Sequence, residues 1–500
     1  MILSPPLDLF MATGNAPPSL QRHFGLMQAT ALNITMVVGA GVFVTIPLML
    51  AHLPGPLAML GWAFAGILIF LDGMVWSELG AALPGSGGSY LYLLESYGRN
   101  SWGRLMAFLF VWQFLLSGPL EMASGLIALS QFAAAIHPDF AQWNEAHTWK
   151  MPIMAGSDFS CTFSPSRGLA FVLGLLLVIL LYRRVEWLGK LTMTFWLGVV
   201  GAIGWILIEG LPRVDFNRAF DLKTTEWPGG MTFAQGLGQA MILAIYSYLG
   251  YYNICHVGDE VRDPGKNIPR SILLCTLAII TLFLLVHLAL TGVVSWREIP
   301  VKSPEVDSYS LSAEFMRRLN GEWAAVVMTL FLVWSCFGAA FAGLLGYSRI
   351  PYGAAKQGHF FQSLAAVHPQ LKIPHRSLLL VCMMTLFWSF FDLTWVITAL
   401  ITTRILEQFL GQIVGLFLLR ARQPLLQRPY RIPLYPWPCL LAAAGWLFVY
   451  LSAGWFFILL GLGTMTAGCL VFLAWSAWCK EWPFASPPNS HVQEMPWGPH

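Results

Sequence analysis

Charge is scarce in this chain. Only 11% of its 500 residues are Asp, Glu, Lys or Arg, against roughly 25% in a soluble domain. With 57% hydrophobic residues and a mean hydropathy of +0.64, that shortage excludes a soluble globular protein. The net charge is only +3 and no basic stripe is visible, so nucleic acid is not an expected partner. The eight Cys form no C-x-x-C pair, which argues against a disulfide framework or a zinc site. No phosphate-binding glycine loop is present, which argues against an ATP-driven pump. No nucleophile–base or metal-ligand cluster falls at one depth, so an enzyme, a metal and any other cofactor are all unexpected. Residues 1–24 include Asp8, Pro17, Pro18, Arg22 and His23 and do not read as a signal peptide.

Long apolar runs fill the space that charge leaves. Bounded by charges or Pro, they predict an all-α integral membrane fold of twelve spans. These lie near 27–51, 55–82, 105–136, 168–182, 187–209, 233–257, 271–295, 323–348, 375–391, 394–419, 436–453 and 455–478. Several of the 22 Trp, including Trp187, Trp323, Trp395 and Trp478, fall near span ends, as an interfacial belt would place them. Loops that would share one side with the N-terminus hold 18 of the 28 Lys and Arg, and the opposite loops hold nine. That bias predicts both termini in the cytosol and a multi-pass protein, most simply of the plasma membrane.

Spans 1–5 and 6–10 form two halves. An odd number of spans per half inverts the second half in the membrane. The expected organisation is a cytosolic tail at 1–24 and a core at 25–422, with repeats of about 25–211 and 230–422. Peripheral spans follow at 423–480, then a disordered Pro-rich tail at 481–500. No shorter repeat of 20–50 residues is visible.

The first span of each half is interrupted at a matching place. Gly39-Ala40-Gly41 breaks the first run, and Ser247-Tyr248-Leu249-Gly250-Tyr251 breaks the sixth. Irregular backbone at membrane depth must line a cavity or be covered by protein. Paired broken helices are the sequence pointer to a transporter's binding site. Glycines let a ligand approach the backbone, and the half-helix that starts after the first break aims unpaired N–H groups and a positive dipole end at an anion. Carbonyls freed at the second break suit an ammonium group, and Tyr246, Tyr248 and Tyr251 offer aromatic faces. The bland alternative for both is close packing by small and aromatic residues.

A set of ordered signatures adds to this reading: GAGVFV (39–44), WSELGAALPGSGGSYLYLLESYG (76–98), GDEVRDPGKNIPRSI (258–272), SCFGA with SRIPYGAAKQGHF (335–360), and RPYRIPLYPWP (428–438). Through them the chain resembles the amino acid–polyamine–organocation superfamily of permeases, close to its L-type-like and polyamine-like members. The resemblance implies five plus five inverted spans, with spans 1 and 6 unwound. It implies a substrate carboxylate on the first break and an amine on carbonyls of both. Val38, Gly39, Ala40 and Gly41 match the first-helix motif. Tyr246 matches the residue that lids the site, and Tyr248, Gly250 and Tyr251, with Ser247 beside them, match the sixth-helix motif. One departure stands out. Proton-dependent relatives carry a Lys in span 5 at a position that aligns with Val199 or Gly198, and Lys190 lies too near the cytosolic end to replace it.

Charged residues within spans each need a partner or a cavity. Arg404 and Glu407, three apart on span 10, are expected to pair. Asp72 is expected to bind nearby backbone or Ser/Thr groups, and His287 to be packed and hydrogen-bonded. Glu121, after Gly118-Pro119 in span 3, could read a cationic side chain. The expected activity is therefore secondary transport of amino acids or polyamines through the bilayer, with protons as a candidate partner and a lean toward cationic substrates. In the competing account, Arg404 neutralises Glu121 and the pocket reads apolar side chains through Tyr246, Tyr251 and Phe337. A transport-inactive sensor on the same fold is the alternative function.

Overall fold

The computed structural model describes residues 24–484, apart from residues 40, 86, 154–158, 183–184, 223–228, 301–308 and 372. Ala40 and the expected tails before residue 24 and after residue 484 therefore lie outside the described residues. The first apolar run forms α1 (Leu26–Val37) and α2 (Gly41–His52), bent by 50° at the glycine break. Next come α3 (Ala58–Ala82), α4 (Ser89–Tyr97), α5 (Trp102–Ala134) and α6 (Pro138–Ala146). A hairpin of β1 (Trp149–Pro152) and β2 (Ser160–Phe163) precedes α7 (Pro165–Leu181), α8 (Val185–Gly210), α9 (Phe216–Ala219) and α10 (Gly230–Tyr248). The chain continues through α11 (Pro264–Val293), α12 (Leu311–Asn320), α13 (Glu322–Tyr347), α14 (Arg349–Lys356) and α15 (His375–Trp388). It ends with α16 (Leu393–Arg404), a π-helical turn Ile405–Leu410, α17 (Gly411–Arg422), α18 (Trp437–Ser452) and α19 (Trp455–Cys479).

Among the described residues, six helical stretches are long and apolar enough to cross a membrane, and the bent α1–α2 pair adds one more. The helices α7, α15 and α18 are apolar but shorter. Local chemistry sets several boundaries. Pro165 occupies the first turn of α7, where its missing N–H removes no bond, and Ser164 caps the helix by accepting from Arg167 N. Asp392 separates α15 from α16 by capping the latter, accepting from Trp395 N at 3.1 Å.

Some elements differ from expectation. Pro264 starts α11 seven residues before the expected span, so Lys266 and Arg270 are helical rather than loop residues. The short helices α4, α12 and α14 replace stretches expected as loops. Trp395 is buried against Phe159 and Trp388, not at an interface, whereas Trp323 and Trp478 are exposed. Cys161 sits in β2 and is buried, because the hairpin docks on the α15–α16 junction through Thr162 N donating to Phe390 O at 2.7 Å.

Contacts sort the connections onto two ends of the bundle. At the Lys- and Arg-rich end, Phe24 N donates to Glu260 O at 3.1 Å and Arg422 donates to Tyr97 O at 2.9 Å. Arg104 pairs with Glu481 at the same end. At the other end, Arg167 donates to Ser389 O at 2.9 Å, Gln239 to Ser452 O at 2.6 Å, and Arg297 pairs with Asp221 at 3.0 Å. Between the ends the helices form two groups. The broken helices pack with α3 and α11, while α5 packs with α13, α15 and α16. The site lies where these groups face each other.

Candidate functional site

A cavity of about 130 Å³ opens between the two groups. Val37, Val38, Gly39 and Gly41 supply one wall, with Tyr246, Ser247 and Leu249 beside them. The opposite wall comes from α5, with Glu121, Met122 and Gly125, and from α13, with Ser335, Gly338 and Ala339. Phe195 and Val199 of α8 close the side.

Three helix ends meet at this cavity. After Val37 the backbone turns extended at Val38 (φ −77°, ψ 91°), so α1 ends there. Its last carbonyls lack intrahelical partners. At Gly41, α2 begins, with its first-turn N–H groups free within the helix and its positive dipole end directed at the cavity. Ile245 to Tyr248 form the last turn of α10, whose C-terminal end carries the opposite partial charge. Thr45 and Ser247 share a hydrogen bond at 3.0 Å, which clamps α2 to α10. Asn33 accepts from Ile254 N at 2.8 Å, which ties α1 to the segment beyond the second break.

The two breaks use glycine differently. A Cβ on Gly41 would lie 3.2 Å from Ser247 Oγ and 3.4 Å from Ser247 Cα, so this position sets how closely α2 approaches α10. A Cβ on Gly39 would meet only Ala339 Cβ, at 3.9 Å, so there is room beside it. Gly250 adopts φ +108°, a conformation that L side chains avoid, and packs against Met36.

Of the sixth-helix residues, Tyr246 and Ser247 line the cavity; Tyr248, Gly250 and Tyr251 do not. Tyr248 turns toward α3 and α11: its hydroxyl donates to Trp62 O at 3.3 Å and its ring stacks on Phe283. Tyr251 donates to Asp72 on α3. Tyr248, two residues on, lies on the opposite face of α10, and Tyr251 falls after the helix has ended. Phe337 lies outside the lining and packs its ring near Phe195.

Tyr246 bridges the cavity to α5. Its hydroxyl and that of Ser124 share a hydrogen bond at 2.8 Å, and Ser124 also donates to Glu121 O at 2.6 Å. The Glu121 carboxylate is held from two sides: Arg404 pairs with it at 2.7 Å, and Tyr347 donates to it at 2.8 Å. Arg404 itself is buried and also donates from Nε to Ser117 at 3.1 Å. The expected Arg404–Glu407 pair does not form. The π turn that starts at Ile405 shifts the register, and the guanidinium reaches across to α5.

Asp72 also differs from expectation. Its partners are two aromatic donors, Tyr251 and Trp446, the latter at 3.1 Å. His287 is packed and hydrogen-bonded as expected, accepting from Trp62 Nε1 at 3.1 Å. Of the two positions that the resemblance aligns with the Lys of proton-dependent relatives, Val199 faces the cavity and Gly198 packs against Trp334. Lys190 lies on α8 with its side chain outside the described residues.

The sequence reading assigned no role to several residues that matter. Ser124 and Tyr347 had no signal beyond residue type. Ser335, Gly338 and Ala339 stood in a quoted signature, and their small size was the available clue. Glu78 stands in the WSELGAALPG stretch with no local sign of its partner. It is fully buried, binds Arg420 at 2.8 and 2.5 Å, and accepts from Ile432 N at 2.9 Å. The Arg428–Arg431 stretch is thus docked on α3 through Glu78, with Arg428 Nε at 3.7 Å.

Comparison with known proteins now bears on this geometry. The family model described as amino acid permease matches residues 24–477. The chain belongs to the amino acid permease family. The cystine/glutamate transporter of Homo sapiens is 26% identical over 429 residues, covering 84% of the permease and 78% of that protein. The serine/threonine exchanger SteT of Bacillus subtilis is 24% identical over 433 residues, 85% and 90% of the two chains. Asc-type amino acid transporter 1 of Mus musculus is 25% identical over 420 residues, 83% and 74%. The permease is therefore a predominantly helical, multi-pass membrane transporter of amino acids and not an enzyme. Nothing in the family or these relatives favours a sensor.

Proposed function

We propose that the permease carries small to medium neutral amino acids by alternating access, with the zwitterionic head held at the meeting point of the three helix ends. One observation carries this reading: the positive end of α2 and the negative ends of α1 and α10 border a single cavity. A carboxylate at the N–H groups after Gly41 and an ammonium at carbonyls around Val37, Val38 and Ser247 would satisfy both sets at once. Val38, Gly39, Ala40, Gly41, Tyr246 and Ser247 are the proposed binding residues. Tyr248, Gly250 and Tyr251 act behind them, shaping the break. A polyamine has no carboxylate to offer α2, which favours amino acids.

Size and charge support the neutral class. A single water needs about 10–15 Å³, so a cavity of about 130 Å³ takes on the order of ten heavy atoms. The walls toward the side chain are apolar, with the small Gly338, Ala339 and Val199 beside the ring of Phe195. Glu121 is the acidic group on the cavity, and Arg404 and Tyr347 already hold it. A cationic side chain would have to displace the guanidinium. This reverses the lean toward cationic substrates.

Tyr246 then serves as the lid. Its hydrogen bond to Ser124 closes one side of the cavity, and breaking that bond opens a route for substrate. The proposed frame is twelve spans, with inverted halves at 25–211 and 230–422 and peripheral helices in 423–480. Both termini lie on the cytosolic side of the plasma membrane, supported by the charge of the end that gathers Phe24 and Glu481.

The test is uptake and exchange by the purified full-length protein in liposomes. The panel is labelled alanine, serine, threonine, leucine, glutamate, arginine and putrescine. Uptake of the neutral members, with arginine and putrescine neither entering nor competing, is the expected result. Transport of arginine in preference to alanine would overturn the neutral reading.

A further inference from the structure

A second set of buried polar groups leaves the cavity's edge and runs toward the Lys- and Arg-rich end. Gln113, Ser117 and Glu121 recur every four residues on α5 and share one face. Arg404, Gln408 and Gln412 recur at the same interval along α16, the π turn and α17, which run the opposite way. Arg404 and Ser117 join the two rows. Eight residues of helix carry each row about 12 Å. The two Gln113 amide atoms, Gln412 Oε1 and Glu407 Oε2 have no hydrogen-bond partner among the described residues. Buried polar atoms are normally paired with protein or with ordered water, so these four atoms are candidates for bridging water.

Glu407 directly precedes Gln408 within the π turn and is only 1% exposed. The titratable and charged groups on the elements packed against that turn are Arg404 on α16, Arg420 and Arg422 on α17, Cys439 and Tyr450 on α18, and Arg104 and Glu121 on α5. Each cation among them is engaged elsewhere. Arg404 holds Glu121, Arg420 holds Glu78, Arg422 donates to Tyr97 O, and Arg104 pairs with Glu481. The Tyr450 hydroxyl donates to Ile458 O. An ionised Glu407 would be a buried charge with no counter-charge of its own, which low-dielectric surroundings strongly disfavour.

We propose that Glu407 is a proton-binding site that couples amino acid movement to one proton. The inference rests on the permease reading. The carboxylate takes a proton from a hydronium ion reached through the cavity, and returns it to water through the Gln113–Gln412 seam at the Lys- and Arg-rich end. When Glu407 is ionised it competes with Glu121 for Arg404, three residues away. The guanidinium's move releases Glu121 and, through it, Tyr347 on the cavity wall. Proton loss thereby changes the cavity itself. Such π turns, carrying one residue more than an α-helix, are frequent at functional sites.

The test uses the full-length protein in liposomes holding a pH-sensitive dye, with alanine and serine as probes. The readout is the ratio of accumulated substrate with and without a one-unit pH gradient, acid outside. That ratio is insensitive to how much protein folds. One proton per substrate supports a ratio of up to about ten in the wild type, with lumenal acidification on adding substrate. Glu407→Gln should bring the ratio to about one, Glu407→Asp should restore part of it, and Gln113→Leu should lower it by sealing the seam. A wild-type ratio of one without acidification overturns the proposal, as does an unchanged ratio in Glu407→Gln. Exchange at equal pH with no gradient effect removes the proton site and leaves the permease reading standing. Absence of any amino acid exchange removes that reading instead.

Discussion

Arg404 and Glu121 meet at 2.7 Å across the α5–α16 interface, with the guanidinium buried and the carboxylate on the cavity wall. This pair decides the electrostatics of the site, because it neutralises the acidic group that the cavity presents. Breaking a buried pair by removing one partner costs roughly 3–5 kcal/mol, while replacing both by apolar or neutral groups is often tolerated. Glu121→Gln and Arg404→Met should each lower thermal stability in detergent. The double variant should recover much of the loss, and single variants as stable as the wild type would contradict the pairing.

The two glycines of the first break should respond differently. Gly41→Ala forces a methyl against Ser247 and disturbs the α2–α10 contact, so both stability and uptake should fall. Gly39→Ala has space and should leave stability within about 0.5 kcal/mol, the range of substitutions that disturb no packing. Gly39→Val should reach into the cavity and raise the apparent KM for alanine at least severalfold. Unchanged uptake kinetics in a stable Gly39→Val protein would remove that backbone from the substrate.

Tyr246→Phe keeps the ring and deletes the hydrogen bond to Ser124. A net bond is worth about 0.5–1.5 kcal/mol, so the open–closed balance should shift by roughly 2–10-fold. Ser124→Ala should produce the same shift, and the double variant little more. Cysteine-accessibility kinetics on the cavity side of α5 would report the opening. Additive effects would assign the two residues separate roles.

Asp72 joins the second break to α18. Losing its carboxylate orphans the Tyr251 hydroxyl and the Trp446 indole, each at about 1–3 kcal/mol. Asp72→Leu should therefore destabilise strongly, and Tyr251→Phe much less. Trp446 also stacks on Phe409 of the π turn at 3.9 Å, so Trp446→Leu should loosen α18. Hydrogen exchange along 437–452 would measure this.

At the end opposite the basic clusters, α12 carries a pH-dependent contact. Burial pushes the Glu314 carboxyl up, but hydrogen bonds from Arg318 and Arg317 outweigh it and hold the group below its ordinary value of 4.5. A depressed carboxyl contributes stability above its unfolded value and loses it as pH falls through the folded one. Protection of residues 311–320 should thus persist from neutral pH to 4.5 and fade only in stronger acid. Glu314→Gln should remove that dependence, and equal acid sensitivity in the variant would contradict the assignment.

The apolar, helical character of the chain and both interruptions were legible in the sequence because they depend on runs of residue type. An apolar run long enough to cross a bilayer must be helical, and a glycine pair or a Ser-Tyr-x-Gly-Tyr stretch inside it must sit in a cavity or under protein. Asp392 as a boundary and Pro264 as a start signal obey equally local rules. The short amphipathic helices α4, α12 and α14 escaped because their patterns are brief and flanked by charge.

Composition and local pattern therefore determined a multi-span helical membrane protein with matched breaks in its first and sixth runs. Which aromatic faces the cavity was a tertiary matter. Tyr246, Tyr248 and Tyr251 are equivalent by residue type, and only the docking of α10 against α2 and α3 sends the first inward and the others away. The partner of Arg404 was likewise open. Glu407 is its neighbour along the helix, yet the π turn and the approach of α5 give the guanidinium to Glu121, 283 positions distant. Side-chain pairing at that separation follows from helix packing, and the local sequence carries no record of it.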